Sequence, residues 1–258
     1  MFIIGSFVLF STEHSAALLA IALVGAGLSV LTRTRVSQRR RVCYCVAAVT
    51  VAGTLFEQTG KIVTGHWVAQ DSLPLHLCDI AVFVSAGALV AAVTATAHPR
   101  ANDRLHKSGR ASILYELTYY WALGATLQAL LTPDLDVPYP RPEWFRYFVT
   151  HGGIVIGVLV MTFGLGMRPR ASSLIRVWLL TLGLAVAVLG INWLIGSNYM
   201  FLCQPPGNAS LIDYLGPWPW YLLSLVGVGT AEILVCFSPW WLLDHRCGER
   251  LSHGRCRD

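Results

Sequence analysis

The stretch LPLHLCDIAVFVSAGALVAAVTAT, residues 73–96, decides the fold class of this chain. Its apolar run has the length of a helix that crosses the hydrocarbon core of a bilayer, about 20 residues. Three side chains capable of chemistry, His76, Cys78 and Asp79, stand at its head. Pro74 suits the first turn of a helix, where its missing N–H costs nothing. We therefore predict a membrane helix over 74–96 whose first turns carry titratable groups, which are costly there and often functional.

The composition extends this prediction to the whole chain. Its 258 residues are 55% hydrophobic and only 13% charged, whereas a soluble domain has about 25% charged residues. Residues 1–10 are too short to cross a membrane, and they lack the basic residues of a signal peptide. We predict an all-α polytopic membrane domain over residues 1–243, followed by a polar tail over 244–258. Its seven predicted spans are 14–32, 42–60, 74–96, 112–132, 147–167, 174–196 and 218–242.

The basic residues predict the orientation of the domain. Of the 19 Lys and Arg residues, all but Lys61, Arg141 and Arg146 lie in the loops after spans one, three and five or in the C-terminal tail. Cytoplasmic loops carry an excess of Lys and Arg. We therefore predict that the N-terminus is outside and the C-terminus is cytoplasmic, in a multi-pass protein of the cell membrane. Because this charge pattern reports topology, we expect no nucleic-acid partner.

In this orientation, polar side chains from six spans fall into one outer layer. Any one of these side chains can equally lie at the membrane interface, where water satisfies its hydrogen bonds. The cytoplasmic helix ends carry mainly Arg, however, and this asymmetry favours an outer-facing polar cavity. Glu116 and Glu232 lie nearer the cytoplasmic side, where we interpret them as partners of basic residues. The candidate residues of the outer layer are Glu57, His76, Cys78, Asp79, Gln128, His151, Asn192 and Asn198.

Cys78 is the candidate nucleophile, and a thiol needs a nearby base to become one. On a helical wheel His76 and Cys78 are about 160° apart, so His76 is a poor base within the same helix. His151, at the head of span five, is the better candidate, because Gly152 and Gly153 allow close approach beside it. Asp79, Glu57 or Asn192 could orient its imidazole.

Other interpretations of these residues stay open. Cys78 can be a small packing residue, or it can form a disulfide with Cys203, the other outer cysteine. His76, Cys78, Asp79 and His151 are all zinc ligands by type, but helical phase keeps His76 and Cys78 from facing one ion easily. A proton relay would need polar residues across the whole membrane, and they stay in the outer layer. We expect no metal and no cofactor.

Five blocks in this order carry a resemblance to a known family. They are LPLHLCDI (73–80), YWALGATLQALLTPDLDVPYP (120–140), FVTHGGIV (148–155), NWLIGSNYMFLCQPP (192–206) and SLIDYLGPWPWYLL (210–223). From about residue 57 to 222 the chain resembles the YwaF-type family of bacterial integral membrane proteins. That family is grouped with the eukaryotic transmembrane protein 164 family, which is described as an acyltransferase acting on phospholipids.

The resemblance implies acyl transfer between membrane lipids through a cysteine thioester. Cys78 matches the family's membrane-embedded cysteine and His151 matches the histidine of the HGG block. In this hypothesis His151 takes the thiol proton and later activates the acceptor hydroxyl, with His76 as the fallback base. Gln128, Asn192 or Asn198 would stabilise the oxyanion, and the partner is a phospholipid or lysophospholipid. The alternative is a non-enzymatic transporter or binding protein, in which His76, Asp79 and Glu57 hold a solute.

Overall fold

The computed structural model describes residues 7–94, 109–135, 137–206 and 211–252, and within these ranges the regular structure is helical throughout. The predicted fold class, an all-α membrane protein, is confirmed. Helix α4 is a composite of Gly109–Trp121, a π-helical turn at Ala122–Thr126, and Leu127–Leu131. The other helices are α1 (Thr12–Thr34), α2 (Arg39–Val63), α3 (Leu77–Thr94), α5 (Pro142–Leu159), α6 (Ala171–Ile195) and α7 (Trp220–Ser252).

Six of the helices in the described ranges are long and apolar enough to cross a membrane. They correspond to all the predicted spans except 112–132, which coincides with the composite helix α4. The count of seven spans and the orientation of the termini stay predictions. The last helix continues to Ser252 and so runs into the residues predicted as the polar tail, and the division at residue 243 stays a prediction. Of residues 1–10, only 7–10 are described, and Phe7 packs on the His14 ring with the ring centroids 5.2 Å apart.

Helix α5 is the centre of the bundle, and it is the most buried of the six candidate spans. It packs against α1, α2 and α3. The two glycines beside His151 serve this packing, because each is a point where a neighbouring side chain meets the α5 backbone. A Cβ on Gly152 would lie 2.7 Å from Ile21, and a Cβ on Gly153 would lie 2.1 Å from the Thr50 Oγ1. Gly152 and Gly153 therefore admit other helices rather than a substrate.

Helices α6 and α7 stand at one side of this core and are largely exposed along their length. They contact each other and α4, and α7 also contacts the π-helical turn of α4. Near the start of α6, Arg176 forms an ion pair at 3.2 Å with Glu116, which is fully buried. The interpretation of Glu116 as the partner of a basic residue is thus confirmed.

We expect Gly153→Ala to lower the free energy of unfolding by about 1–3 kcal/mol, because the new methyl group would overlap Thr50. Gly87→Ala is the matched control, since its Cβ would meet Leu114 at an ordinary 3.7 Å and both changes gain the same helix propensity. Thermal unfolding in detergent compares the two variants. Equal stability of the two would contradict the packing role.

Candidate functional site

The structure changes the geometry of the LPLHLCDI segment, because α3 begins at Leu77 and not at Pro74. Pro74 lies inside a tight turn, closed by a 2.8 Å hydrogen bond from the Leu75 N–H to the Leu73 carbonyl. His76 therefore precedes the helix, and the helical-wheel separation of His76 from Cys78 does not apply. The prediction that they face apart is wrong, since both side chains line one cavity.

That cavity has a volume of about 470 Å³ and lies between α3, α4, α6 and α7. Its lining is mostly apolar, as in pockets that bind hydrophobic ligands. Val186, Leu189 and Val226 line it and are also exposed on the outer surface of α6 and α7. The cavity therefore opens sideways between these two helices. Its lining on α6 and α7 includes Leu182, Ala185, Leu222, Leu225 and Ile233.

Cys78 is a free thiol in the wall of this cavity. It lies beside the hydroxyl of Thr126, which is fully buried and forms no hydrogen bond in the described part of the chain. Cys203 is also a free thiol, so the two are not joined in a disulfide. The predicted nucleophile thus faces a space large enough for a ligand.

The hydrogen bonds of His76 fix its tautomer. The Met200 N–H donates to the His76 Nδ1 at 3.3 Å, so in the neutral ring the proton is on Nε2. Burial lowers the pKa of His76, with Lys61 acting in the same direction and the Asp134 and Glu57 carboxylates acting against it. The ring is therefore neutral at pH 7 and offers an Nε2–H donor rather than a basic nitrogen.

His151 has the opposite arrangement. Its Nδ1 lies 2.9 Å from the Tyr147 carbonyl, which can only accept, so Nδ1 carries the proton and Nε2 is free to accept one. The ring stacks on Tyr147 with centroids 4.0 Å apart, and the Tyr147 hydroxyl donates to the Ala129 carbonyl on α4. His151 does not line the cavity, and among the described residues no hydrogen bond joins it to Cys78.

The acidic residues of the predicted layer lie outside the cavity lining. Glu57 pairs with Arg146 at 2.7 Å and with Lys61 at 3.5 Å. The Asp79 carboxylate faces the backbone N–H of His76. Neither carboxylate hydrogen-bonds a histidine ring in the described structure. This geometry therefore does not support the predicted role of Glu57 or Asp79 in orienting an imidazole.

The predicted oxyanion donors are engaged elsewhere, and none of them lines the cavity. Asn192 donates to the Tyr199 carbonyl and accepts from Ser197 Oγ and the Tyr199 N–H, all within 2.9 Å. Asn198 donates to the Gln204 carbonyl and accepts from the N–H groups of Cys203 and Gln204. Gln128 donates to Thr132 Oγ1 at 2.8 Å. Asn192 and Asn198 therefore anchor the loop that follows α6.

Tyr199 connects these anchors to the LPLHLCDI segment. It is buried, and its hydroxyl accepts from the Leu73 N–H at 2.8 Å and donates to the Ala69 carbonyl at 2.7 Å. Burial raises the pKa of the Tyr199 phenol, which keeps this donor protonated. The next two residues, Met200 and Phe201, have positive φ angles of 57° and 54°, which are uncommon for residues other than glycine. They cover the cavity beside His76.

Glu232 has surroundings that differ from those expected for the partner of a basic residue. This residue lines the cavity, and in the described ranges it forms no ion pair with a basic residue. A Cβ on Gly124 would lie 2.9 Å from the Glu232 Oε2, so a glycine leaves the room that the carboxylate occupies. The interpretation of Glu232 as a partner of basic residues is wrong. In the sequence, the residue that allows this position of Glu232 is Gly124 of the ALGAT segment. A glycine has no side-chain chemistry that would single it out.

No group of three or more His, Cys, Asp and Glu residues in the described ranges could hold a metal ion. Of residues 244–258, Asp244 and His245 are the ones whose side chains are described.

Comparison with known proteins places the chain in a family. The model of the TMEM164 family matches residues 9–237, which is most of the chain. The protein therefore belongs to the TMEM164 family of multi-pass membrane proteins. No curated protein and no solved structure matches it.

The low pKa of His76 makes the stability of this region depend on pH. The unfolded chain binds a proton near pH 6.5, and the folded chain does so only at lower pH. Stability is therefore complete above about pH 6.5 and falls as the pH drops below it. Thermal unfolding from pH 7.5 to 5 should show a smaller loss for His76→Asn, which keeps an acceptor near Met200 but does not titrate. Parallel curves for the two proteins would contradict this.

Proposed function

We propose that this protein is a membrane-lipid acyltransferase in which Cys78 forms a thioester with a fatty acyl group. The observation that carries the proposal is the apolar cavity, which has Cys78 in its wall and opens sideways between α6 and α7. An acyl chain can enter such an opening from the bilayer without crossing water. The known family membership supports a membrane setting for this chemistry. The YwaF-type label, the cell membrane location and the outward-facing site are parts of the same proposal.

The chemistry divides between two histidines of opposite tautomer. Cys78 attacks the ester carbonyl of a glycerolipid, and the His76 Nε2–H donates a hydrogen bond to the oxygen that becomes negative. His151 is the proposed base, because its Nε2 is free to take the thiol proton. His151 stacks on Tyr147, and the Tyr147 hydroxyl donates to the carbonyl of Ala129, three residues from Thr126 on α4. This link to the helix that carries Thr126 supports His151 as the base. Proton transfer between Cys78 and His151 requires a bridging water or a movement of the side chains, because no hydrogen bond joins them in the described structure.

The alternative function, binding or transport of a polar solute, has less support. Two of the three residues it requires, Asp79 and Glu57, lie outside the cavity lining, and Glu57 is held in ion pairs. The cavity that does contain His76 is largely apolar. Its chemistry suits a hydrocarbon chain better than a charged solute.

A lipid-ester probe tests the proposed function. We expect it to label the wild-type protein, to leave Cys78→Ala and Cys78→Ser unlabelled, and to label His151→Ala about 10²–10⁴-fold more slowly, which is the usual loss when a general base is removed. Labelling is measured as hydroxylamine-sensitive modification after gel separation. Hydroxylamine sensitivity reports a thioester.

Cys203→Ala is the matched control, because Cys203 is also a free thiol in the loop that covers the site but does not line the cavity. It should label like the wild type. Equal labelling of wild type, Cys78→Ala and His151→Ala would contradict the proposed function. Full function of Cys78→Ser in cells would favour the binding alternative.

A further inference from the structure

Glu232 is an acidic side chain in a membrane-length helix with no neutralising partner in the described structure. It lies in α7 and lines the same cavity as Cys78. Among the described residues it takes part in no ion pair and no hydrogen bond. By contrast, Glu57 and Glu116 are paired with Arg146 and Arg176. Ionisable groups inside a membrane are costly, and one kept without a partner marks a functional site.

The π-helical turn Ala122–Thr126 brings Glu232 and Cys78 to one level of the cavity. The Glu232 carboxylate rests against Gly124, and the Cys78 thiol lies beside Thr126. These two contact points are two residues apart on α4, which corresponds to a rise of about 3 Å along a helix. Ala125, between them, lines the cavity. Turns of this kind occur frequently at functional sites, and here one turn positions both reactive groups.

Apart from Cys78 itself, the ionisable side chains of the lining that form no side-chain hydrogen bond in the described structure are Glu232 and Tyr120, and a carboxyl group exchanges its proton near pH 7 far more readily than a phenol does. The two tryptophans in the lining are satisfied, because Trp121 Nε1 donates to Thr181 Oγ1 and Trp178 Nε1 donates to Thr230 Oγ1. His76 presents a donor and receives the Met200 N–H on its other nitrogen. Glu232 is therefore the best candidate in this cavity to donate a proton to a lipid oxygen beside Cys78 or to accept one from it.

We propose that Glu232 is the general acid–base for the lipid oxygen in both halves of the acyl transfer; this rests on the proposed function. In the first half the thiol proton passes to the base, and the sulfur–carbon bond forms as the ester carbon–oxygen bond breaks. The Glu232 carboxylic acid then protonates the leaving oxygen, which departs as a lysolipid hydroxyl. In the second half the carboxylate takes the proton of an acceptor hydroxyl, whose oxygen attacks the thioester. The sulfur leaves and regains its proton from the base.

This assignment predicts a dependence on the leaving group. A phospholipid releases an alkoxide that must be protonated, whereas a p-nitrophenyl ester of a long-chain fatty acid releases a stable phenolate that needs no proton. Glu232→Gln keeps the size of the side chain but cannot donate a proton as an acid. We expect it to slow acylation of Cys78 by phospholipid about 10²–10⁴-fold, the usual effect of a general acid, and to leave acylation by the p-nitrophenyl ester within a few-fold of wild type.

Gly124→Ala tests the same point without removing the carboxylate. Its Cβ would lie 2.9 Å from the Glu232 Oε2 and displace that group, so it should slow the phospholipid reaction selectively. Gly87→Ala, whose Cβ meets only an ordinary contact, is the control and should behave as wild type with both donors. Reaction with the p-nitrophenyl ester also shows that each variant is folded.

The two proposals fail in different ways. If Glu232→Gln slowed acylation by both donors equally, or by neither, the acid–base role would be overturned. The proposed function would still stand in that case, because wild-type Cys78 is acylated. If neither donor acylated wild-type Cys78, the proposed function itself would fail, and the role of Glu232 would fail with it.

Discussion

The site depends on one set of hydrogen bonds, those that Asn192 and Tyr199 make where α6 ends. A chain that leaves a helix near a membrane must satisfy its exposed backbone groups within the protein. Asn192 does this for the backbone of Tyr199, and the Tyr199 hydroxyl does it for Ala69 and Leu73. These bonds hold the segment before α3 against the loop after α6. They thereby place His76 and Cys78 at the wall of the cavity.

The uneven packing of the bundle explains why a cavity exists at all. Helices α1, α2, α3 and α5 form a tight core in which glycines of α5 receive side chains from α1 and α2. Helices α6 and α7 contact this core mainly through α4. The space between them is wide enough for a ligand and is open to the side. In a bilayer the molecules at that side are lipids, which is why the proposed ligand is an acyl chain.

The sequence predicted much of the fold because its signals were physical and local. Apolar runs of membrane length placed six of the helices, with ends that differ from the observed ones by up to ten residues, and Cys78 is a candidate because a thiol and two titratable groups interrupt such a run. The roles of Asn192 and Asn198 could not be predicted, since an amide looks the same whether it binds a substrate or anchors a loop. The position of His76 was predicted wrongly because Pro74 is the central residue of a tight turn and does not start the helix. Glu232 was missed because its position depends on Gly124, more than 100 residues away in the chain.

The most direct test of this account is to ask where a lipid chain lies in the protein. A phospholipid with a diazirine in its acyl chain is incubated with the protein in membranes and irradiated, and the modified peptides are mapped by mass spectrometry. We expect insertion at the cavity residues Leu182, Ala185 and Leu225, and loss of that insertion in Ala185→Trp, which fills the cavity. Insertion confined to outward-facing residues such as Leu179 and Leu234, unchanged in Ala185→Trp, would contradict it.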